Sequence, residues 1–234
     1  MLTKSFHTDL HFLFNKLQNK EPFSFSKYAD GEYKVLRNQP ITNCDGWSFN
    51  PNLHQFEYQI LMESFLYRNK EYYVGISCPC CQPTDHVQWM RDTVVCDNVT
   101  WANLFVNSNY EFFKDNFFIE FNNWEGDVTL VANEKGINKK LPFKVDEYIS
   151  IQIGSWFNPE LKIILEMMKE KATKNNQLFL FSAGPLGNIL AHQLHMVNPN
   201  NTYIDIGSTI NPWIVGNNRG YLNKKVTENK TCIW

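Results

Sequence analysis

The stretch QLFLFSAGPLGNILAHQL, residues 177–194, decides the fold class. Its apolar run Leu178–Phe181 predicts a strand buried on both faces, because no polar residue alternates with the apolar ones. Small residues and Pro185 follow, and proline fits the first turn of a helix, so a helix is predicted to begin there. A buried strand joined to a helix by a short bend is the repeating unit of a parallel α/β sheet.

Other segments repeat this order of strand and helix. Strands are predicted early in 23–36 and within 71–77, 127–133, 148–153 and 202–208. Helices are predicted over 7–20, 53–69, 99–118 and 158–172, the last with Asn158 as N-cap and Pro159 at its first position. We expect an α/β, Rossmann-like fold with a mostly parallel sheet and helices on both faces. Neither a repeat nor a linker is found, so residues 1–234 are expected to form a single domain.

Composition excludes several classes of protein. A net charge of −2 argues against wholesale binding of nucleic acid or of an anionic membrane, and no nucleic-acid partner is expected. The sequence shows neither an export signal nor an apolar stretch of about 18 residues, which predicts a cytoplasmic protein without a transmembrane segment. The sequence leaves the oligomeric state open.

The polar residues collect where the predicted strands end. In parallel sheets, ligands bind beyond the carboxyl ends of the strands, so these positions are expected to share one cleft. They are Asp30 and Glu32, the loop 77–81, Asn133, the bend 182–185 and the segment 205–208.

Asp30 and Glu32 are the candidate metal ligands. In an extended or turning backbone, residues two apart point the same way, so both carboxylates are expected to meet one hard cation. Mn²⁺ and Mg²⁺ favour one or two protein carboxylates, completed by water and phosphate oxygens. The motif is therefore interpreted as a metal site that holds a nucleoside diphosphate.

The bend Ser182, Ala183, Gly184 and Pro185 is the candidate phosphate site. Small residues let a ligand approach the backbone, and the N-terminus of the following helix favours negative charge. Neither G-x-G-x-x-G nor G-x4-G-K-[ST] occurs, which disfavours a nicotinamide enzyme and a P-loop hydrolase.

Several of these segments are similar to sequence motifs of one known family. The segment SFSKYADGEY (24–33) resembles the F-x-R-Y/F-G-D-G-E segment of the GT-D type glycosyltransferases. The resemblance continues through 178–194, through NTYIDIGSTINPW (201–213) and into NNRGY (217–221), which are similar to blocks of polysaccharide-assembly members. It covers nearly the whole chain in order, and its specific blocks are Asp-Gly-Glu, Ala-Gly-Pro and Asp-Ile-Gly.

This resemblance implies a glycosyltransferase of the GT-D fold that moves a hexosyl or pentosyl group from a UDP-sugar to a glycan acceptor. It assigns Asp30 and Glu32 to the metal and the diphosphate, and it places the Ala-Gly-Pro block at the nucleotide. Lys27 stands where the family often has Arg, so it offers a point charge rather than a bidentate clamp. Arg219 is the further candidate for contact with the leaving diphosphate.

Asp205 is the nearest candidate for the catalytic base that takes the proton of the acceptor hydroxyl. No acidic residue follows it in 208–212, which leaves open a non-catalytic nucleotide- or glycan-binding module that supports a partner transferase. A zinc site formed by Cys78, Cys80, Cys81 and His86 is a third interpretation, although paired zinc-finger spacing is missing.

Overall fold

The computed structural model describes residues 6–152, 154, 156–217 and 219–223. The strands are β1 Ser24–Lys27, β2 Ile41–Thr42, β3 Ser48–Phe49, β4 Tyr72–Ile76, β5 Val99–Trp101, β6 Val128–Asn133, β7 Glu147–Ile151, β8 Leu178–Ser182 and β9 Thr202–Asp205. The helices are α1 Phe6–Gln18, α2 Asp30–Leu36, α3 Gln55–Phe65, α4 Thr84–Thr93, α5 Tyr110–Asn122, α6 Glu160–Lys171, α7 Pro185–Val197, α8 Asn211–Ile214 and α9 Gly220–Asn223.

Seven strands form the central sheet in the order β5-β4-β1-β9-β8-β6-β7. Every pair of neighbours in it runs parallel, while β2 and β3 form a separate antiparallel pair. The α/β, Rossmann-like prediction is therefore confirmed. Strands β1, β9 and β8 lie side by side in the middle, so the residues at their carboxyl ends are neighbours.

Both faces of the sheet are covered. All five residues of β4 are buried, and successive residues of a strand point to opposite faces. Helix α7 packs against β1, β8 and β9, while α1 contacts β5 and α5. Phenylalanine supplies much of the core, as along α5, where Phe113, Phe117 and Phe121 are fully buried and in ring contact.

Two local predictions are wrong. The segment 99–118 is not one helix: Val99–Trp101 is the edge strand β5, and α5 begins only at Tyr110. Asn107, between them, has a φ of 56°, a conformation that interrupts a right-handed helix. Asn158 is not the N-cap of α6, because the helix begins one residue later than predicted, at Glu160. Pro159 occupies the cap position instead.

No helix in the described part of the chain combines the length and the apolar character that crossing a membrane requires.

Candidate active site

One cavity of about 730 Å³ opens at the carboxyl ends of the central strands. It has the size of a small-molecule or cofactor site. Eight of the nine site residues predicted from the sequence line it: Lys27, Asp30, Glu32, Ser182, Ala183, Gly184, Asp205 and Arg219. The ninth, Pro185, is buried at the first position of α7 and is not part of the lining.

The acidic motif lies within a helix rather than in a turn before it. Asp30 is the first residue of α2 and Glu32 is the third, so the expectation of an extended or turning backbone is wrong. Residues two apart in a helix lie about 200° apart around its axis. Glu32 nevertheless faces the same cavity, because its side chain folds back and accepts the N–H of Ala29 through Oε2 at 2.9 Å. Asp30 is exposed and Glu32 is buried.

Lys27 ends β1 and carries positive charge into the cavity. Its side chain runs past Gly207, where a Cβ atom would lie 2.2 Å from Lys27 Cε. Gly207 has a φ of 54°, so glycine meets both the backbone and the space requirement there. Burial opposes the charge of Lys27, but Asp205 and Glu32 outweigh it and raise the pKa of the amine. Lys27 is therefore charged at neutral pH.

Asp205 ends β9 and is only 2% exposed. Burial raises the pKa of its carboxyl group to about 7, although Lys27 opposes the shift. The backbone N–H of Gly207 donates to Asp205 Oδ1 at 3.0 Å and also opposes it. Burial likewise raises the pKa of Glu32, again against the effect of Lys27. A pKa of about 7 lies in the range in which a general base works near neutral pH.

Gly184 shapes the bend between β8 and α7. Its φ is 56°, and a Cβ atom there would lie 3.4 Å from Trp47 Nε1. The first turn of α7 follows directly, so the N-terminal end of this helix points toward the cavity side of the sheet. Asn188, in the same helix, donates through Nδ2 to the carbonyl of Lys27 at 2.6 Å and to Ser26 Oγ at 3.0 Å. These bonds fasten α7 to the end of β1.

Arg219 lies at the cavity and forms an ion pair with Asp45 there. Its Nη2 contacts both carboxylate oxygens of Asp45 at 2.5 Å, and its Nη1 lies 3.3 Å from Cys44 Sγ. Asp45 and Cys44 line the cavity too. A diphosphate at this position would have to share Arg219 with Asp45.

Side-chain amides form much of the remaining lining, and most of them were not expected from the sequence. They are Asn43, Gln82, Asn103, Asn107, Asn133, Gln152 and Asn211. Amides donate and accept hydrogen bonds at once, which suits sugar hydroxyl groups. Of these, only Asn133 was anticipated, from its position at a strand end. Asn103 and Asn107 were missed because 99–118 was interpreted as a helix, although Val99–Trp101 is rich in β-formers.

The predicted set of zinc ligands is only partly brought together. The sulfur atoms of Cys78, Cys80 and Cys81 lie within 4.8 Å of one another. His86 is not with them: its ring stacks on Tyr33 at a centroid distance of 3.5 Å.

Comparison with solved structures finds this architecture in the DUF1792 proteins. A glycosyltransferase (DUF1792) from Streptococcus sanguinis matches with a TM-score of 0.61 at 13% identity, over 89% of this chain and 81% of that one. A second DUF1792 structure, described as a distinct glycosyltransferase fold, matches with a TM-score of 0.59 at 14% identity, over 86% and 77%. This chain has that glycosyltransferase fold. The resemblance stated from the sequence is confirmed at the level of the fold.

Comparison of the sequence with protein-family models and with curated proteins finds no match. At 13–14% identity the structural likeness establishes the fold.

Proposed function

We propose that the protein is a metal-dependent glycosyltransferase. It moves a sugar from a UDP-sugar to a hydroxyl group of a glycan or glycoconjugate, in the assembly of a polysaccharide. One observation carries the proposal: the acidic pair of α2, the half-buried Lys27, the buried Asp205 and the bend before α7 all lie at one amide-lined cavity.

Asp30 and Glu32 are the proposed ligands of Mn²⁺ or Mg²⁺. Their oxygens are the hard donors that these ions prefer, and both residues line the cavity, with Glu32 Oε2 accepting the Ala29 N–H. When bound, the ion neutralises the negative charge that grows on the diphosphate as the glycosidic bond breaks. The donor set present therefore fits the ion that the family implies.

Lys27 and the N-terminus of α7 are proposed to hold the diphosphate. Lys27 is positive at neutral pH, and the first N–H groups of a helix bind anions. Gly184 presents no side chain, so a phosphate is able to approach the backbone beside it. The amides are proposed to bind the hydroxyl groups of the donor sugar and of the acceptor.

Asp205 is proposed as the base that takes the proton from the attacking hydroxyl group. With a pKa of about 7, it is partly ionised at neutral pH and is able to accept that proton. Its burial at 2% exposure also favours the alternative of a binding module, because an acceptor must reach a nearly closed position. Tight binding without turnover across an acceptor screen would support that module.

The test is calorimetry with UDP and Mn²⁺ on matched charge variants. Glu32→Gln keeps an oxygen for the Ala29 N–H, and Asp30→Asn keeps the shape of the side chain. We expect each to weaken metal-dependent UDP binding by more than about 100-fold. The control is Asp97→Asn, because Asp97 is exposed and pairs with Arg68 away from the cavity. Unchanged affinity in both cavity variants would contradict the proposal.

A further inference from the structure

Three cysteines converge in the loop that follows β4. Cys78 and Cys80 bring their sulfur atoms to 3.0 Å, and Cys80 and Cys81 bring theirs to 3.8 Å. All three sulfur atoms lie within 4.8 Å of one another. Cys78 is buried, while Cys80 and Cys81 are exposed, so the cluster is open to solvent on one side.

We propose that Cys78, Cys80 and Cys81 bind one thiophilic cation, for which Zn²⁺ is the best candidate. A tetrahedral Zn²⁺ with Zn–S bonds of about 2.3 Å holds its sulfur atoms about 3.8 Å apart. The distance between Cys80 and Cys81 matches this value, and Cys78 and Cys80 need to separate by less than 1 Å. Binding releases the thiol protons, because the ligands are thiolates.

The fourth position of the ion is assigned to water. Among the described residues, no further His, Cys, Asp or Glu joins the three sulfur atoms, and His86 is held against Tyr33. Three protein ligands with one solvent position is an established arrangement for Zn²⁺. Thiolates select Zn²⁺ or Cu⁺, whereas the carboxylates of α2 select Mn²⁺ or Mg²⁺, so ligand chemistry separates the two sites.

The cluster also touches one wall of the cavity. Asn103 Nδ2 lies 3.6 Å from Cys78 Sγ, and Asn107 Nδ2 lies 3.9 Å from Cys81 Sγ. Both amides line the cavity, as does Gln82, which directly follows Cys81. N–H groups directed at metal-bound thiolates stabilise their negative charge. A bound ion would therefore hold this wall of the cavity in one arrangement.

The test is metal uptake by full-length protein that has been reduced and stripped of metal. Titration with Zn²⁺, followed by elemental analysis after desalting, is expected to give one ion per chain. Co²⁺ used as a probe is expected to give a thiolate-to-metal charge-transfer band. The Cys80→Ser and Cys81→Ser variants should each lose at least about 100-fold in Zn²⁺ affinity. Cys44→Ser should retain uptake, because Cys44 is an exposed cysteine outside the cluster.

Three outcomes would overturn the proposal. One is uptake well below one ion per chain by the reduced protein, and another is undiminished uptake by both Cys variants. The third is a Cys78–Cys80 disulfide, seen as the loss of two hydrogens in mass, in a protein that takes up no Zn²⁺ after reduction. The variant Glu32→Gln should bind Zn²⁺ as the wild type does, which keeps this test separate from that of the acidic pair.

Discussion

Asp205 and His195 are both almost fully buried and both have strongly shifted pKa values, yet their surroundings differ. Asp205 is 2% exposed at the cavity, beside Lys27 and Glu32. His195 is 1% exposed in α7, where it packs against the rings of Tyr67, Tyr72 and Tyr203. Burial raises the pKa of Asp205 to about 7 and lowers that of His195 to about 4.

The difference shows that a shifted pKa does not identify a functional residue. Burial disfavours the charged form in both groups, so the first cause of the shift is the same. Asp205 also has an opposing cation, backbone donors and an open cavity beside it. His195 has aromatic neighbours, and neither ring nitrogen has a hydrogen-bond partner in the described part of the chain. Asp205 lies at the cavity proposed as the active site, whereas His195 lies among packed aromatic rings.

The largest expected effect is that of Asp205→Asn on turnover. Asparagine has nearly the shape of aspartate but accepts no proton at neutral pH, so kcat should fall by about 10²–10⁴-fold. Turnover is measured with a UDP-sugar and an acceptor, beside Asp97→Asn as the control. A loss smaller than tenfold would remove Asp205 from the role of base.

Acid should destabilise the fold through the histidines of α7. Burial lowers the pKa of His192 and of His195 from 6.5 to about 4. Between these values the unfolded chain binds protons that the folded one does not, so stability present above about pH 6.5 is lost as the pH falls. Each group contributes about 3 kcal/mol to this loss, and Asp205 offsets part of it, because its raised pKa makes the folded chain take up a proton below about pH 7. Urea unfolding at pH 7.5 and pH 4.5 measures it.

His195→Leu should flatten this pH dependence, whatever its effect on stability at neutral pH. His7→Gln is the matched control, because His7 is exposed. Equal pH slopes in the wild type and in the His195 variant would show that His195 does not stay neutral on folding.

The activity should rise with pH through about 7. Asp205 accepts a proton only when it is ionised, and its folded pKa is about 7, so kcat/KM should increase about tenfold from pH 6 to pH 8. A carboxyl group in the usual pKa range would already be ionised at pH 6, so its profile would be flat over this interval. A flat profile over these pH values would contradict the assignment.

The smallest expected effect is that of Gly207→Ala. Comparing it with a second glycine variant separates backbone strain from displacement of Lys27. Gly207→Ala places a methyl group against Lys27 and at a φ of 54°, so it should cost about 1–2 kcal/mol of stability and lower the affinity for UDP. Gly216→Ala is the control, because Gly216 also has a positive φ, 97°, but no atom within 4 Å of the added Cβ. Thermal unfolding and calorimetry of both variants check the difference. Equal UDP affinities would show that Lys27 does not contact the diphosphate.

Prediction from the sequence succeeded where the pattern was local. The apolar run before the Ser182–Pro185 bend identified β8 and α7, and the positions at strand ends identified Asp30, Glu32 and Asp205 among the cavity's charged residues. It failed for 99–109, where the three residues of β5 and a short turn precede α5. These segments are too short to show a hydrophobic period of their own. It also misplaced the acidic motif, which lies in the first turn of α2 rather than in a turn before the helix.

The sequence by itself determined six of the seven strands of the central sheet, since apolar periodicity and residues such as Pro185 act within a few positions of the chain. It also determined which residue types stand at the strand ends. Only the tertiary structure decided that Lys27 and Asp205 meet, that His86 lies apart from the three cysteines, and that seven amides face one cavity. Those contacts join residues far apart in the chain, and strand order, burial and side-chain packing are set by the folded molecule as a whole.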